Sequence, residues 1–134
     1  MIKYEKITSK QAPEALGPYT QAIRAGGFVF LSGQIGIVPE SGELAGTDIK
    51  TQTEQIMKNI GAVLKEAGIS FDRVVKTTCF LVDMGDFQGF NEIYGKYFSE
   101  RPARSCVAVK DMAKGAVVEV DVIAVDFYGT SLGK

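Results

Sequence analysis

The chain contains no histidine and no tryptophan, and only two of its 134 residues are cysteine. The first absence is the most restrictive. Without imidazole there is no Ser-His or Cys-His nucleophilic pair, and no ordinary imidazole metal site. Any catalysis then falls to carboxylates, tyrosine, arginine and backbone groups. Cys79 and Cys106 lie in separate apolar runs without CxxC spacing, which argues against a disulfide framework or a zinc site. Both read as buried thiols acting as small hydrophobes. There is no excess of one charge sign: 15 Lys and Arg against 16 Asp and Glu leave a net charge of −1. A general binder of nucleic acid or of anionic membranes would carry a basic excess. Long apolar runs are missing too, and none approaches the ~20 residues of a spanning helix. The N-terminal "MIKYEKITSK" has no apolar h-region and so does not read as a signal peptide. A cytoplasmic location is the expectation.

What remains is the composition of one ordinary globular domain over residues 1–134, 46% hydrophobic and 23% charged. "IKYEKI" alternates with period two and predicts a strand. "AIRAGGFVFLSGQIGIV" predicts two strands joined at Gly26-Gly27, with turn-rich "PESGELAG" after them. From Thr47 to Ala67 the apolar residues fall on one helical stripe, with Gly68 as the stop. Thr51 and Glu54 form a candidate capping box at its start. "FDRVVKTTCFLVDM" predicts a strand, and Phe87 to Ser99 a second helix, with Pro102 just beyond. "RSCVAVK" and "AVVEVDVIAVDFY" predict two closing strands, separated by a loop around Gly115. The order β-β-β-α-β-α-β-β gives an α+β fold, a mixed sheet with two helices packed on one face.

Two helices shield only one side of such a sheet. Yet residues 117–127 are apolar on both alternation sets: Val118, Val120, Val122 and Ala124 on one, Val117, Ile123, Val125 and Phe127 on the other. The second face needs a cover that the chain does not supply, and packing against further copies of itself is the economical solution.

The residues able to carry chemistry are few. Glu119 and Asp121 are two apart, so they project from the face of Ile123 and Val125. They are a polar patch at the strand's frayed end, ion-pairing groups across an interface, or carboxylates in an interface cleft with pKa values raised enough to handle protons. Arg104 and Cys106 share one face of the preceding strand. Arg104 could grip a substrate carboxylate through two hydrogen bonds, or simply pair with a neighbouring acid. Arg101, before Pro102, reads as a helix C-terminal cation. Asn91, between Phe87 and Tyr94, sits on or beside the buried stripe, and its amide must find a partner. In "SGQIG", glycines within a strand mark a bulge or a close approach to the backbone by a ligand or by another subunit. Neither a P-loop nor a Rossmann fingerprint is present.

Taken together, "GPYTQA" (17–22), "FLSGQIG" (30–36), "FNEIYGKYF" (90–98), "RPARSCVAV" (101–109) and "GAVVEVDVIA" (115–124) resemble the reactive intermediate deaminases, also called the RidA or YjgF family. The resemblance runs nearly end to end, with threonine at position 20 where the family usually has serine. It implies a chorismate-mutase-like α+β fold, assembled as a homotrimer with sites between subunits. It also implies hydrolysis of reactive enamines and imines, such as 2-aminoacrylate, 2-iminopropanoate and 2-iminobutanoate, to 2-oxo acids and ammonia, without a cofactor. By that resemblance Arg104 holds the substrate carboxylate and Glu119 activates water. Cys106 contacts ligand through its backbone, and Tyr19, Ser32, Gly33 and Asn91 line the pocket, with Tyr19 closing it. Asp121 receives no catalytic role and stands as an ion-pair candidate. Rival expectations are a regulatory protein that binds 2-oxo acids in the same cleft, a ribonuclease or translation inhibitor, and a chaperone.

Overall fold

The computed structural model describes residues 3–127. Its elements are β1 (Glu5–Ile7), β2 (Ala22–Ala25), β3 (Phe28–Gln34), α1 (Ile49–Glu66), β4 (Val74–Leu81), α2 (Phe87–Tyr97), β5 (Ala103–Ala108) and β6 (Val118–Val125). All eight expected elements form, in the expected order. Ile2 and Tyr128, at the outer ends of the expected first and last strands, lie outside the described residues. Among those described, no helix is long and apolar enough to cross a membrane.

The six strands make one sheet in the order β1-β2-β3-β6-β4-β5. Only β4 and β5 run parallel, joined through α2; every other pair is antiparallel. Gly26 and Gly27 turn the β2-β3 hairpin with φ of 60° and 83°, the left-handed pair that a two-residue turn demands and that glycine adopts without a Cβ clash. Several boundaries differ from the sequence reading. The N-cap of α1 is Asp48, whose carboxylate accepts the Thr51 N–H, so Thr51 lies in the first turn and is not the cap. Gly68 follows the helix with φ of 82°, as expected. Strand β3 stops at Gln34, and residues 71–73 and 84–86 form single 3₁₀ turns on either side of β4.

Both helices cover the same side of the sheet. Ile56, Met57, Ile60, Val63 and Leu64 of α1 and Phe90 of α2 are fully buried against Val29, Leu81, Val118, Val120 and Val122. The buried set of β6 is the one predicted. The opposite face is open in the single chain: Phe30 is 44% exposed, Val107 46% and Phe127 48%, with Phe28 and Val75 also exposed. Buried amides fasten the loops to this frame. Gln21 accepts the Ser9 N–H and donates to the Ser9 and Pro13 carbonyls. Gln52 donates to the Gly46 carbonyl and accepts from the Val117 N–H. Each satisfies backbone groups that would be costly to bury alone.

Candidate functional site

Register decides where each candidate residue points. Arg104 lies beside Thr77, and Cys106 beside Cys79, on the parallel β4-β5 pair. Thr77 and Cys79 are fully buried under the helices, so Arg104 and Cys106 project on the helix side of the sheet. Strand β5 is an edge, which leaves Arg104 exposed and Cys106 half-buried. The expectation of two buried thiols therefore holds for Cys79 alone. Burial pushes the Cys79 thiol up to about 12 and raises that of Cys106 as well. Both thiols are free.

The Arg104 guanidinium donates through Nη1 to Asn91 Oδ1 at 2.7 Å. Its carbon stands 4.8 Å from the centre of the Tyr94 ring and 5.3 Å from that of Phe87. Among the described residues no carboxylate pairs with it. A cleft of about 630 Å³ opens here, lined by Asn91, Tyr94, Arg101, Pro102 and Arg104 among others. Arg101 adopts φ of 55°, rare for a side-chain-bearing residue, where the chain leaves α2.

Glu119 lies on the other face. It stands opposite Phe80 on β6, in the alternation set of Ile123 and Val125, as the sequence indicated. Its carboxylate folds over Gly33, where a Cβ would come 2.9 Å from the Glu119 carboxyl carbon and collide with Oε2. The β3-β6 register shifts between Leu31 and Gln34, so Gly33 sits at a bulge, as expected, but the group that closes on it is neither a ligand nor another subunit. What approaches is the chain's own carboxylate. Burial, and secondarily the charge of Asp121, raise the Glu119 pKa. Burial raises the Asp121 pKa as well, while Thr78 opposite it and, more weakly, Lys76 favour its charged form. Among the described residues of the single chain Asp121 forms no ion pair; the expected pairing is one across an interface.

Tyr19 and Ser32 line a second cleft of about 630 Å³ together with Phe30 and Ile23. Ser32 donates its hydroxyl to the Thr20 carbonyl at 2.6 Å and so holds the 17–20 turn in place. Tyr19 is exposed there and also borders a smaller cleft that contains Gly33. The predicted residues thus separate into two groups. Arg104, Asn91 and Cys106 gather on the helix side at the β5 edge; Tyr19, Ser32, Gly33 and Glu119 gather on the open face. A single chain does not unite them. The sequence reading missed Thr77 and the aromatic pair around Arg104, although the spacing of Phe87, Asn91 and Tyr94 along one helix face was visible. Among the described residues no three His, Cys, Asp or Glu cluster in metal-binding geometry.

Residues 9–126 match the family described as endoribonuclease L-PSP. The chain is 51% identical over 119 residues to a Lactococcus lactis protein named as a regulator, AldR, covering 88% of this chain and 94% of that one. It is 46% identical over 124 residues to Reactive Intermediate Deaminase A, chloroplastic, of Arabidopsis thaliana, covering 92% of this chain and 66% of the relative. A solved structure of a Yersinia pestis protein of the conserved Rid family, YyfA, superposes with a TM-score of 0.89 at 46% identity, over 92% of this chain and 99% of that one.

Proposed function

The chain belongs to the Rid family, described also as endoribonuclease L-PSP, and from that membership we propose that it hydrolyses small 2-imino and 2-enamino acids to 2-oxo acids and ammonia. Its fold is the family's chorismate-mutase-like α+β arrangement. The observation that carries the reading is the Arg104 guanidinium, held by a neutral amide and two aromatic rings and left without a carboxylate. Such a cation keeps its full attraction for a substrate carboxylate and can take it through two hydrogen bonds.

With 2-iminopropanoate so held, water adds to the electrophilic imine carbon. Glu119 accepts a proton from that water and returns it to nitrogen, giving the tetrahedral carbinolamine. The hydroxyl proton then passes by the same carboxylate to nitrogen, the C–N bond breaks, ammonia leaves and pyruvate remains. An enamine such as 2-aminoacrylate enters by protonation at its terminal carbon. A carboxylate whose pKa is raised by burial is suited both to accept and to return a proton. Imines are reactive enough that positioning supplies much of the remaining rate. The two residue groups must meet for this to happen, so we assign the site to the junction of two subunits of a homotrimer, where the open apolar face is covered. The cytoplasmic assignment belongs to the same reading, and one relative is named chloroplastic.

A second reading is favoured by the relative named as a regulator: a sensor that binds 2-oxo acids in the same cleft and needs Arg104 but not Glu119. The test separates them. 2-Aminoacrylate is generated in situ by a serine dehydratase and its loss is followed spectroscopically with and without the protein. Acceleration by the wild type, lost in Arg104→Ala and in Glu119→Ala, is the expected outcome. Equal decay with wild type and Arg104→Ala overturns the deaminase. A Glu119→Ala protein that still accelerates decay removes the water-activating role.

A further inference from the structure

We propose that Tyr94 and Phe87 are positioning residues that fix the plane of the Arg104 guanidinium, with Thr77 holding the Tyr94 ring in place. The inference rests on the reading of Arg104 as the carboxylate clamp and adds how that clamp is set.

An arginine on an exposed edge strand samples many rotamers, and gripping a ligand would cost it that freedom. Here the side chain is confined on several sides at once. Phe87, Asn91 and Tyr94 recur at i, i+4 and i+7 along α2, so all three face the same way. The rings of Phe87 and Tyr94 lie 5.3 and 4.8 Å from the guanidinium carbon, within cation–π range, and Asn91 Oδ1 occupies one N–H at 2.7 Å. Tyr94 is itself buried, and its hydroxyl meets Thr77 Oγ1 at 2.7 Å inside the core. Thr77 is the register neighbour of Arg104 across the parallel pair. The residue that flanks Arg104 on the sheet is therefore the one that ties down the ring beneath it.

The chemistry of the cradle matters as much as its shape. A guanidinium fixed by a carboxylate would be rigid but neutralised. One fixed by an amide and two π-faces is rigid and keeps its charge, with its remaining N–H groups free for a planar anion.

The test uses the full-length protein and pyruvate as probe, with binding measured by titration calorimetry and kcat and KM by the dehydratase-coupled assay. Tyr94→Leu is expected to raise both the pyruvate Kd and KM about fivefold with kcat little changed, as loss of a cation–π shelf dictates. Tyr94→Phe, which keeps the ring but loses the Thr77 bond, should fall between Tyr94→Leu and wild type. A folded Tyr94→Leu that binds pyruvate as wild type does, or one whose loss falls on kcat with KM unmoved, overturns the proposal. Should Tyr94→Leu fail to fold, Phe87→Leu at the half-buried start of α2 decides. An increase of about twofold in KM supports the shelf, and a wild-type KM removes it. Arg104→Ala, run alongside, separates the two layers: undiminished pyruvate binding there sinks the clamp itself and the positioning role with it.

Discussion

Glu119 and Asp121 have the same charge, similar burial and adjacent places on one strand face, yet their neighbours differentiate them. Burial raises the pKa of both, but Thr78 offsets part of that at Asp121, whereas Glu119 lies over a glycine that gives its carboxylate room, and that carboxylate accepts no hydrogen bond among the described residues. A proton handler is better served by the second environment, since hydrogen bonds to the charged form would hold the proton off. The consequence for pH is definite in sign. In the proposed mechanism Glu119 must be ionised to take a proton from water, so the rate should fall on the acid side through a pKa raised above the ordinary glutamate value. Asp121→Asn removes a like charge, lowers the Glu119 pKa toward that range, and should move the acid limb of kcat/KM to lower pH. A limb that stays in place, or moves upward, would show that Glu119 does not set it. Gly33 was legible in the sequence as a position requiring close approach; that the approaching group was Glu119, 86 positions along the chain, was not.

Among the elements, the regular ones were readable because periodicity reports burial directly. Strand β6 buries Val118, Val120, Val122 and Ala124 as its alternation required, and α1 buries the expected stripe. Boundaries were less legible. The cap of α1 fell on Asp48 because side chains compete for the same orphan N–H groups, and spacing alone does not rank them. The 9–20 segment is informative in another way. It has no ladder of its own, yet it carries Tyr19 and is ordered by three hydrogen bonds to the single buried side chain of Gln21. Gln21→Met keeps the volume and removes all three bonds. It should lower stability by about 2–4 kcal/mol and speed amide exchange across residues 9–20 while α1 stays protected. Uniformly faster exchange would mean that Gln21 supports the whole core and has no special hold on the loop.

For the whole molecule, the separation of the two residue groups is the main constraint. Arg104 and Glu119 lie on opposite faces of one sheet, and the open face that holds Glu119 also exposes Phe28, Phe30 and Phe127 toward the other end of β6. A cyclic assembly that brings the β5 edge of one copy to the open face of the next would join the groups and cover the aromatics in one step. Subunit mixing tests this directly. Co-expressed Arg104→Ala and Glu119→Ala chains should form mixed assemblies that regain activity absent from either variant alone, because some junctions combine an intact arginine with an intact glutamate. Mixed assemblies as inactive as their parents would place both residues in one chain's site.

The sequence by itself determined the number, type and order of the elements, the apolar surplus on the sheet, and the residue types that could carry a histidine-free chemistry. These follow from composition and from periods of 2 and 3.6, which are local properties of the chain. Only the tertiary structure decided which residues meet. The insertion of β6 between β3 and β4 laid Glu119 over Gly33, and the parallel pairing of β5 with β4 set Arg104 beside Thr77 and under α2. Those contacts depend on strand order and register, and no local pattern encodes either.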